Sequence, residues 1–296
     1  MSRVLILGAS GNLGTEIVQK LEFKPEFDLA APKSSNLDIR NANELFNYVA
    51  KFKPEWILNC AAWTNVDGAE KSFKEALSIN SDSLKNIVSA TKRLKKCSLV
   101  HFSTDYVFDG HSMEPYTELS QANPINNYGL TKYLGEKIVT SMNSNYYIVR
   151  TSWLYGLHKK NFVKTMVDKA LKFQKSSVVF DQVGSPTNAR DLATGIISLM
   201  QKQPEFGLYN FSNEGSCSWY EFAQEIYDAV GCDPTLVVPI SSSEINSPAR
   251  RPLYTVLSKT KWKESLISEI PHWKESLLDC IPEFVTNRVN SSSDPS

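Results

Sequence analysis

The sequence predicts an α/β fold in which a doubly wound parallel sheet is joined to a smaller C-terminal α/β lobe. Short apolar runs alternate with helical patterns through the first half of the chain, and repeated strand–helix–strand units force the strands to be parallel. The runs are continuously apolar rather than alternating, which is typical of strands buried on both faces. A glycine-rich turn, GASGNLG, directly follows the first run and opens a helical pattern.

The first half of the chain contains five predicted strands. They are VLILG (4–8), FDLAA (27–31), WILNC (56–60), LVHFS (99–103) and YYIVR (146–150). Helical patterns lie between them at 12–21 and 41–52, in a long region that ends near Lys96, and in the helix that carries NNYGLTKYLGE (126–136). This order of elements is that of consecutive βαβ units.

The second half of the chain is less regular. Its predicted helices cover 161–173, 191–200 and 218–230, and its predicted strands lie within 177–188, 207–212 and 236–240. Ser218 and Glu221 have the spacing of a capping box. We expect residues 156–286 to form the smaller lobe over the carboxyl edge of the sheet, with a later segment completing that sheet. The polar tail, residues 287–296, is expected to be disordered.

Composition excludes several classes of function. The 296 residues have a formal net charge of +0, so no overall field favours nucleic acid or an acidic membrane. No apolar run reaches the ~20 residues of a membrane helix, and the N-terminus lacks the features of a signal peptide. The 5 cysteines are scattered and the 4 histidines show no zinc-binding pattern. We therefore expect a cytoplasmic protein with reduced thiols, a small-molecule ligand and no bound metal.

The glycine-rich turn predicts a site for the pyrophosphate of a dinucleotide. Gly8, Gly11 and Gly14 have the spacing G-x-x-G-x-x-G. Glycine allows a sharp turn and a close approach of the backbone to phosphate, and the helix that begins there points free N–H groups and the positive end of its dipole at that phosphate. The alternative is a plain strand-to-helix turn. The position after the first strand favours a Rossmann-type NAD(P)-binding domain at residues 1–155.

The end of the second strand favours NADPH over NADH. A carboxylate at this position would select NAD. Here FDLAA runs into Pro32, Lys33, Ser34 and Ser35, whose cation and hydroxyls suit a 2′-phosphate. The alternative is that Lys33 is a solvated loop residue.

Three Tyr-x-x-x-Lys pairs could supply a proton donor and a lysine that tunes it. They are Tyr128/Lys132, Tyr133/Lys137 and Tyr155/Lys159. Tyr128 and Lys132 share one helix face, and their helix follows the fourth strand, which ends at Thr104. Tyr133 lies about 140° further round the helix and is expected to point into the core or the solvent. Gly156 interrupts any helix through the third pair, so we select Tyr128, Lys132 and Thr104.

The three selected residue types suit the reduction of a carbonyl. A tyrosine has a pKa of about 10, and a nearby ammonium is expected to lower that pKa. The lysine can also hold the nicotinamide ribose, while the threonine hydroxyl positions the substrate oxygen. The tyrosine can then donate a proton as hydride arrives from the nicotinamide.

With these residues identified, the chain resembles the dTDP-4-dehydrorhamnose reductases of the extended short-chain dehydrogenase/reductase superfamily. The matching pieces are GASGNLG, LDI (37–39), NCAAWTNVDGAE (59–70), STDYVFDG (103–110), YGLTK (128–132), RTSWLYG (150–156), DQVGSPT (181–187) and RRPLYTVLSKTK (250–261). The resemblance covers nearly the whole chain to about residue 285. It implies reduction of the 4-keto group of dTDP-4-dehydro-L-rhamnose by NADPH, with NADH possible.

The resemblance extends the set of candidate site residues. Catalytic roles are implied for Tyr128, Lys132 and Thr104. The residues expected to contact the cofactor are Gly8, Ser10, Gly11, Asn12, Leu13, Gly14, Lys33, Asp38, Ile39, Ala61, Ala62, Trp63, Thr64, Tyr128 and Lys132. The residues expected to contact the substrate are Thr104, Asp105, Tyr106, Trp153 and Arg251. For Arg251 the implied partner is a phosphate, which a guanidinium can bind in two places, and the alternative is a surface salt bridge.

Other readings remain open from the sequence. A related nucleotide-sugar 4-ketoreductase could act on another deoxysugar, and some proteins of this fold are non-catalytic regulatory subunits that bind nucleotide. In some members of the family, carboxylates bind a divalent ion at a dimer interface, and Glu16 matches one such position. We assign no metal, and we regard a homodimer as possible.

Overall fold

The computed structural model describes residues 1–94, 96–142, 145–265 and 267–292. Its strands are β1 (Ser2–Leu7), β2 (Phe27–Ala30), β3 (Trp56–Asn59), β4 (Ser98–Thr104), β5 (Tyr146–Thr151), β6 (Leu154–Tyr155), β7 (Ser176–Val179), β8 (Val183–Gly184), β9 (Thr187–Asn188), β10 (Gly207–Asn210), β11 (Cys217–Ser218) and β12 (Val237–Ile240). Its α-helices are α1 (Asn12–Glu22), α2 (Ala42–Phe52), α3 (Val66–Lys71), α4 (Phe73–Leu77), α5 (Ser83–Lys92), α6 (Asn127–Met142), α7 (Phe162–Ala170), α8 (Ala189–Lys202), α9 (Trp219–Ala229), α10 (Thr260–Glu264) and α11 (Trp273–Ser292).

The central sheet has six parallel strands in the order β10-β5-β4-β3-β1-β2. The order reverses direction between the neighbouring strands β1 and β3, which is the doubly wound arrangement that the sequence predicted. This part of the prediction is confirmed. The sixth strand, β10, comes from the second half of the chain and pairs with β5.

Helices cover both faces of the sheet, which explains why its strands are apolar throughout. On β1, Val4 and Ile6 pack with α1 and α8, whereas Leu5 and Leu7 pack with α2 and α5 on the opposite face. All four side chains are buried. Alternate residues of a strand point to opposite faces, so a sheet covered on both faces needs apolar residues at every position.

The smaller lobe has its own apolar core between α7, α9 and α11. The parallel pair β7 and β12 lies beside α9. Ser218 caps α9, and its capping box with Glu221 is present as the sequence predicted. The domain boundaries at residues 155 and 286 stay predictions. Two elements from the second half of the chain, α8 and β10, belong to the core and sheet of the first domain.

The long helical region predicted to end near Lys96 consists of several helices in the structure. It consists of α3, α4, a π-helical turn at Ser78–Asp82, and α5, which ends at Lys92. The chain leaves helical geometry at Ser72, which has φ −122° and ψ 48°. Asn80 of the π-helical turn accepts a hydrogen bond from the Trp63 backbone N–H and donates one to the Thr131 hydroxyl. Through Asn80, the π-helical turn therefore links the segment after β3 to α6.

The C-terminal helix extends further than the sequence suggested. The backbone of α11 continues to Ser292, into the segment predicted to be a disordered tail. The rest of that predicted tail, residues 293–296, lies outside the described residues. Over the described ranges, no helix combines the length and apolarity needed to cross a membrane.

Candidate active site

A cleft of about 470 Å³ lies beyond the carboxyl ends of β1, β3, β4 and β5. Its walls come from the glycine-rich turn, the segment after β4, the first turns of α6, and the segment between β5 and α7. Ligands of open parallel sheets bind at this edge, near the point where the strand order reverses. The predicted catalytic residues Thr104, Tyr128 and Lys132 all line this cleft.

The glycine-rich turn is shaped by close backbone contacts. Gly8 has φ +75°, and a Cβ added there would lie 2.5 Å from the Ala61 nitrogen. A Cβ on Gly14 would lie 2.4 Å from the Gly8 carbonyl oxygen. Gly11 precedes α1 and has no side chain to cap it, so the first N–H groups of α1 face the cleft beside Asn12 and Leu13. This geometry suits a pyrophosphate.

Asn12 has a structural task in addition to its predicted contact with the cofactor. Its side-chain oxygen accepts hydrogen bonds from the backbone N–H groups of His158, at 3.1 Å, and Lys159, at 2.7 Å. These bonds fix the segment after β6 over the start of α1. Lys159 and Lys160 thereby reach the cleft next to the glycine-rich turn. The sequence reading did not assign them, because the fold brings them there from the second half of the chain.

Thr104, Tyr128 and Lys132 lie together in the cleft. Thr104 ends β4, and its side chain is near enough to that of Tyr128 to lower the tyrosine pKa. Lys132 is buried, and its Nζ donates a hydrogen bond of 2.5 Å to the Phe102 carbonyl oxygen. Tyr128 and Lys132 lie one turn apart on the face of α6 that covers β4.

The pKa of Tyr128 differs from the sequence-based expectation. Burial raises the pKa of Tyr128 to about 12, outweighing the influence of the nearby Thr104 hydroxyl, which lowers it. We expected Lys132 to lower this pKa, and that expectation was wrong for the site as it stands, because desolvation of the phenolate dominates. Burial also lowers the pKa of Lys132 to about 8, opposed by the nearby charge of Glu136.

Asp105 and Tyr106 continue the cleft wall after β4. Asp105 is buried and accepts a hydrogen bond of 3.0 Å from the Thr104 hydroxyl. Burial raises the pKa of Asp105 to about 7, against hydrogen bonds from Thr255 and Thr104. The ring of Tyr106 meets that of Tyr128 edge-on, with centroids 5.9 Å apart. Both predicted substrate contacts therefore lie beside the tyrosine.

Trp153 contributes an aromatic wall to the cleft that Tyr128 also lines. It has φ +47°, and its ring stacks on Trp219 with centroids 3.6 Å apart. A Cβ on Gly184 would lie 2.6 Å from the Trp153 ring, so glycine is needed below it. Trp219 and Phe162 also line the cleft, and the sequence reading missed both. The capping box before Trp219 located its helix but gave no sign of which wall it would face.

The other predicted cofactor residues lie at different depths around the cleft. Ala62 and Thr64 line it, whereas Ala61 packs against Gly8 and the Trp63 backbone is held by Asn80. Lys33 is exposed after β2.

The remaining predicted cofactor residues are also placed by the fold. Asp38 forms an ion pair of 2.7 Å with Arg40, and the Ile39 side chain is buried in the core. Ser10 is exposed in the turn between β1 and α1. None of these placements tests a cofactor contact, so those roles stay predictions.

A second cavity of about 680 Å³ adjoins the cleft. Tyr106, Phe162 and Trp219 line both spaces. Arg250 and Arg251 line the second cavity, where Arg251 donates a hydrogen bond of 3.0 Å to Asp67. The salt-bridge alternative for Arg251 is thus present in the structure, while the same side chain faces a space large enough for a ligand.

Comparison with known proteins identifies the family. Residues 2–286 match the family described as RmlD substrate binding domain. The chain belongs to this family. It is 38% identical to a dTDP-4-keto-6-deoxy-D-glucose reductase of Streptomyces niveus over 91% of this chain and 93% of that protein.

Two solved structures support the same assignment. A dTDP-4-dehydrorhamnose reductase of Clostridium acetobutylicum has a TM-score of 0.91 and 38% identity, covering 96% of this chain and 99% of that one. A dTDP-4-dehydrorhamnose reductase of Bacillus anthracis, solved in complex with NADP, has a TM-score of 0.89 and 38% identity, covering 97% of this chain and 100% of that one.

The surroundings of Glu16 do not fit the divalent ion that some family members bind. Glu16 is buried, 3.1 Å from the His158 ring and 3.7 Å from Arg190. Arg190 in turn donates two hydrogen bonds to Glu283. A guanidinium therefore stands between the two carboxylates. Across the described ranges, no group of three or more His, Cys, Asp or Glu side chains is arranged to hold a metal ion.

Proposed function

We propose that this chain reduces the 4-keto group of dTDP-4-dehydro-L-rhamnose with NADPH to give dTDP-L-rhamnose. The main support for the proposal is that the candidate cofactor-binding and catalytic residues line the same cleft. A dinucleotide-type glycine turn and the Thr104, Tyr128 and Lys132 group line one cavity in a member of this family. The two solved relatives at 38% identity bear the name of this activity, and one of them holds NADP.

The residues present fit a nicotinamide dinucleotide. Gly11, Asn12 and Leu13 would hold the pyrophosphate at the start of α1, and Lys132 would hold the nicotinamide ribose. NADPH, when bound, supplies the hydride that reduces the carbonyl carbon. The close contacts at Gly8 and Gly14 keep the turn narrow enough for the backbone to approach phosphate.

The proton would come from Tyr128. With a pKa raised to about 12, its hydroxyl is protonated at neutral pH and can donate to the carbonyl oxygen as negative charge develops there. Thr104, which lines the same cleft beside Tyr128, would position the same oxygen. Lys132 would stabilise the phenolate left behind, because an adjacent ammonium favours the charged form.

The second cavity is the proposed place for the nucleotide part of the substrate. Its guanidinium groups, Arg250 and Arg251, suit a diphosphate, and Tyr106, Phe162 and Trp219 connect it with the sugar end. Arg251 is held by Asp67 in the structure, so a diphosphate would exchange one anionic partner of Arg251 for another.

One specific observation favours a second candidate substrate. The relative from Streptomyces niveus, 38% identical, is named for a dTDP-4-keto-6-deoxy-D-glucose reductase. That sugar carries the same nucleotide and the same 4-keto group. The cleft residues named above would serve either reaction.

The test of the proposed function is NADPH oxidation by the purified protein with each keto sugar. We expect dTDP-4-dehydro-L-rhamnose to give the highest kcat/KM, with dTDP-L-rhamnose as the product identified by NMR. A higher kcat/KM with dTDP-4-keto-6-deoxy-D-glucose would replace the first candidate by the second. Absence of turnover with both sugars would reject the reductase function.

Replacing Lys33 should reduce the preference for NADPH. Lys33 is an exposed cation directly after β2, where the 2′ position of the cofactor is recognised in this class of fold. For Lys33→Ser we expect the Kd for NADPH to rise about 3- to 10-fold, the value of one exposed charge-assisted contact, with the Kd for NADH unchanged. Isothermal titration of both cofactors measures this. Lys24→Ser, at a partly exposed lysine before β2, is the control. Equal changes for both cofactors would contradict the role.

A further inference from the structure

Three residues of α6 lie in a line on the face that covers the sheet. Tyr128, Lys132 and Glu136 are spaced four residues apart, so they occupy successive turns on one side of the helix. Tyr128 meets Thr104 and Lys132 meets the Phe102 carbonyl, both on β4. Glu136 is the third member, and the proposed mechanism gives it no task.

Glu136 forms a buried ion pair with Arg150 on β5. The guanidinium donates two hydrogen bonds to the carboxylate, at 2.9 Å from Nε and 2.7 Å from Nη2. The two side chains are only 4% and 3% exposed. The desolvation of two buried charges is costly, so such a pair need not stabilise the fold. Its position next to the proposed reaction centre suggests that it serves the reaction.

Strand register places Arg150 level with the catalytic group. Arg150 is paired with Ser103 of β4, between Phe102 and Thr104. The ion pair therefore joins α6 to the sheet at the same level as Phe102, whose carbonyl Lys132 contacts, and Thr104, which lies beside Tyr128. Arg150 also lies over the Phe108 ring, 5.0 Å from its centroid, which limits its movement.

The charges around Lys132 single out Glu136. Cys60 after β3 and His101 on β4 also face Lys132, together with Tyr128 on its own helix. Burial raises the pKa of Cys60 and lowers the pKa of His101, so neither carries charge at neutral pH. Arg150 lies behind Glu136 and also acts on Glu118. Among the described residues, Glu136 supplies the negative charge that keeps Lys132 protonated against its burial.

We propose that the Glu136–Arg150 pair is a positioning device for this reaction, holding α6 in register on β4 and β5 and keeping the Lys132 ammonium charged. Glu136 acts through Lys132 and touches no reacting atom. The inference rests on the role of Lys132 in the proposed function.

The direct test is the titration of Lys132 in the protein without substrate or cofactor. Lysine labelled with ¹³C at Cε gives one signal per lysine, and Lys132→Met assigns the signal of interest. We expect a titration midpoint near pH 8 in the unaltered protein. In Glu136→Gln, which keeps the shape and removes the charge, the midpoint should fall by about 1 pH unit, as expected for the loss of a close opposite charge. An unchanged midpoint in folded Glu136→Gln would overturn the proposal.

A control variant tests whether the fall of the Lys132 midpoint is specific to Glu136 or follows the loss of any bidentate ion pair. Glu283→Gln removes the carboxylate that Arg190 binds through two hydrogen bonds, and neither residue lines the cleft. We expect Glu283→Gln to leave the Lys132 midpoint unchanged, and an equal fall in this variant would also overturn the proposal. If Glu136→Gln does not fold, the double variant Glu136→Gln/Arg150→Met removes both buried charges. Its midpoint should still fall below that of the unaltered protein, and an unchanged midpoint would again overturn the proposal.

The pH profile of kcat/KM gives a second readout. The alkaline limb of the profile should move to lower pH in Glu136→Gln by the same amount as the NMR midpoint, and an alkaline limb that stays in place would contradict the proposal. Different results would reject the proposed function and the role of the Glu136–Arg150 pair. Absence of turnover in the unaltered protein would reject the proposed function, while the NMR titration would still decide whether Glu136 governs the charge of Lys132.

Discussion

Tyr128→Phe should reduce kcat by a factor on the order of 10²–10⁴, the contribution typical of a positioned general acid. The substitution removes the hydroxyl and leaves the ring, which packs edge-on against Tyr106. Binding of NADPH should change less than about twofold, because the remote binding contacts at the glycine-rich turn stay in place. Steady-state kinetics and isothermal titration measure the two quantities separately.

Tyr133→Phe is the matched control for this variant. Tyr133 lies on the same helix, but its ring packs against the cluster of Val107, Phe108, Tyr116 and Leu257. We expect its kcat to stay close to that of the unaltered protein. Similar losses in both variants would show that the effect comes from the helix and not from the Tyr128 proton.

Gly14→Ala should prevent NADPH binding and destabilise the fold. The new Cβ would meet the Gly8 carbonyl oxygen at 2.4 Å and the Ala9 Cα at 2.8 Å. These are backbone atoms of the phosphate-binding turn, so no side-chain rotation can relieve the contact. Forcing extra volume into such a packed site costs about 1–3 kcal/mol of unfolding free energy. We expect a lower Tm and no heat of NADPH binding by calorimetry.

Gly11→Ala separates the expected loss of NADPH binding from the expected loss of stability. The nearest atom to a Cβ on Gly11 is the Gly8 carbonyl oxygen at 3.5 Å, an ordinary contact. Gly11→Ala should therefore keep the Tm of the unaltered protein while it weakens NADPH binding, because Gly11 lines the cleft. A Tm for Gly14→Ala equal to that of Gly11→Ala would contradict the packing argument.

The three proposed catalytic residues could be brought to one cleft from the sequence because their pattern is local. Tyr128 and Lys132 are four residues apart on one helix, and the helix follows the strand that ends at Thr104. The apolar runs and the glycine turn were enough to place that strand at the ligand-binding edge of a parallel sheet. The capping box of α9 follows from the same kind of short-range signal.

Other parts of the site depend on contacts between distant segments. Trp219 reaches Trp153 across the two lobes, and Asp67 meets Arg251 across 184 positions of sequence. The partner of Glu136 could be found only from the register of β4 and β5, which places Arg150 beside Ser103. No periodicity in the chain encodes these pairings.

Burial was the physical quantity that sequence spacing could not provide. The pattern Tyr-x-x-x-Lys suggests a lowered tyrosine pKa, whereas desolvation raises the pKa of Tyr128 to about 12 and lowers that of Lys132 to about 8. The same desolvation raises the pKa of Asp105 to about 7. The depth of a cleft is set by the whole fold, so the sign of these shifts becomes clear only in the structure.

The most direct measurement is the transfer of deuterium to dTDP-4-dehydro-L-rhamnose from NADPH that carries deuterium in place of both hydrogens at C4 of the nicotinamide. The account predicts one deuterium at C4 of the sugar in dTDP-L-rhamnose, seen by mass spectrometry and NMR. In Tyr128→Phe, formation of the same labelled product should slow in proportion to kcat. Absence of NADPH consumption, or a product without deuterium at C4, would contradict the central claim that this cleft reduces the keto group of a nucleotide sugar.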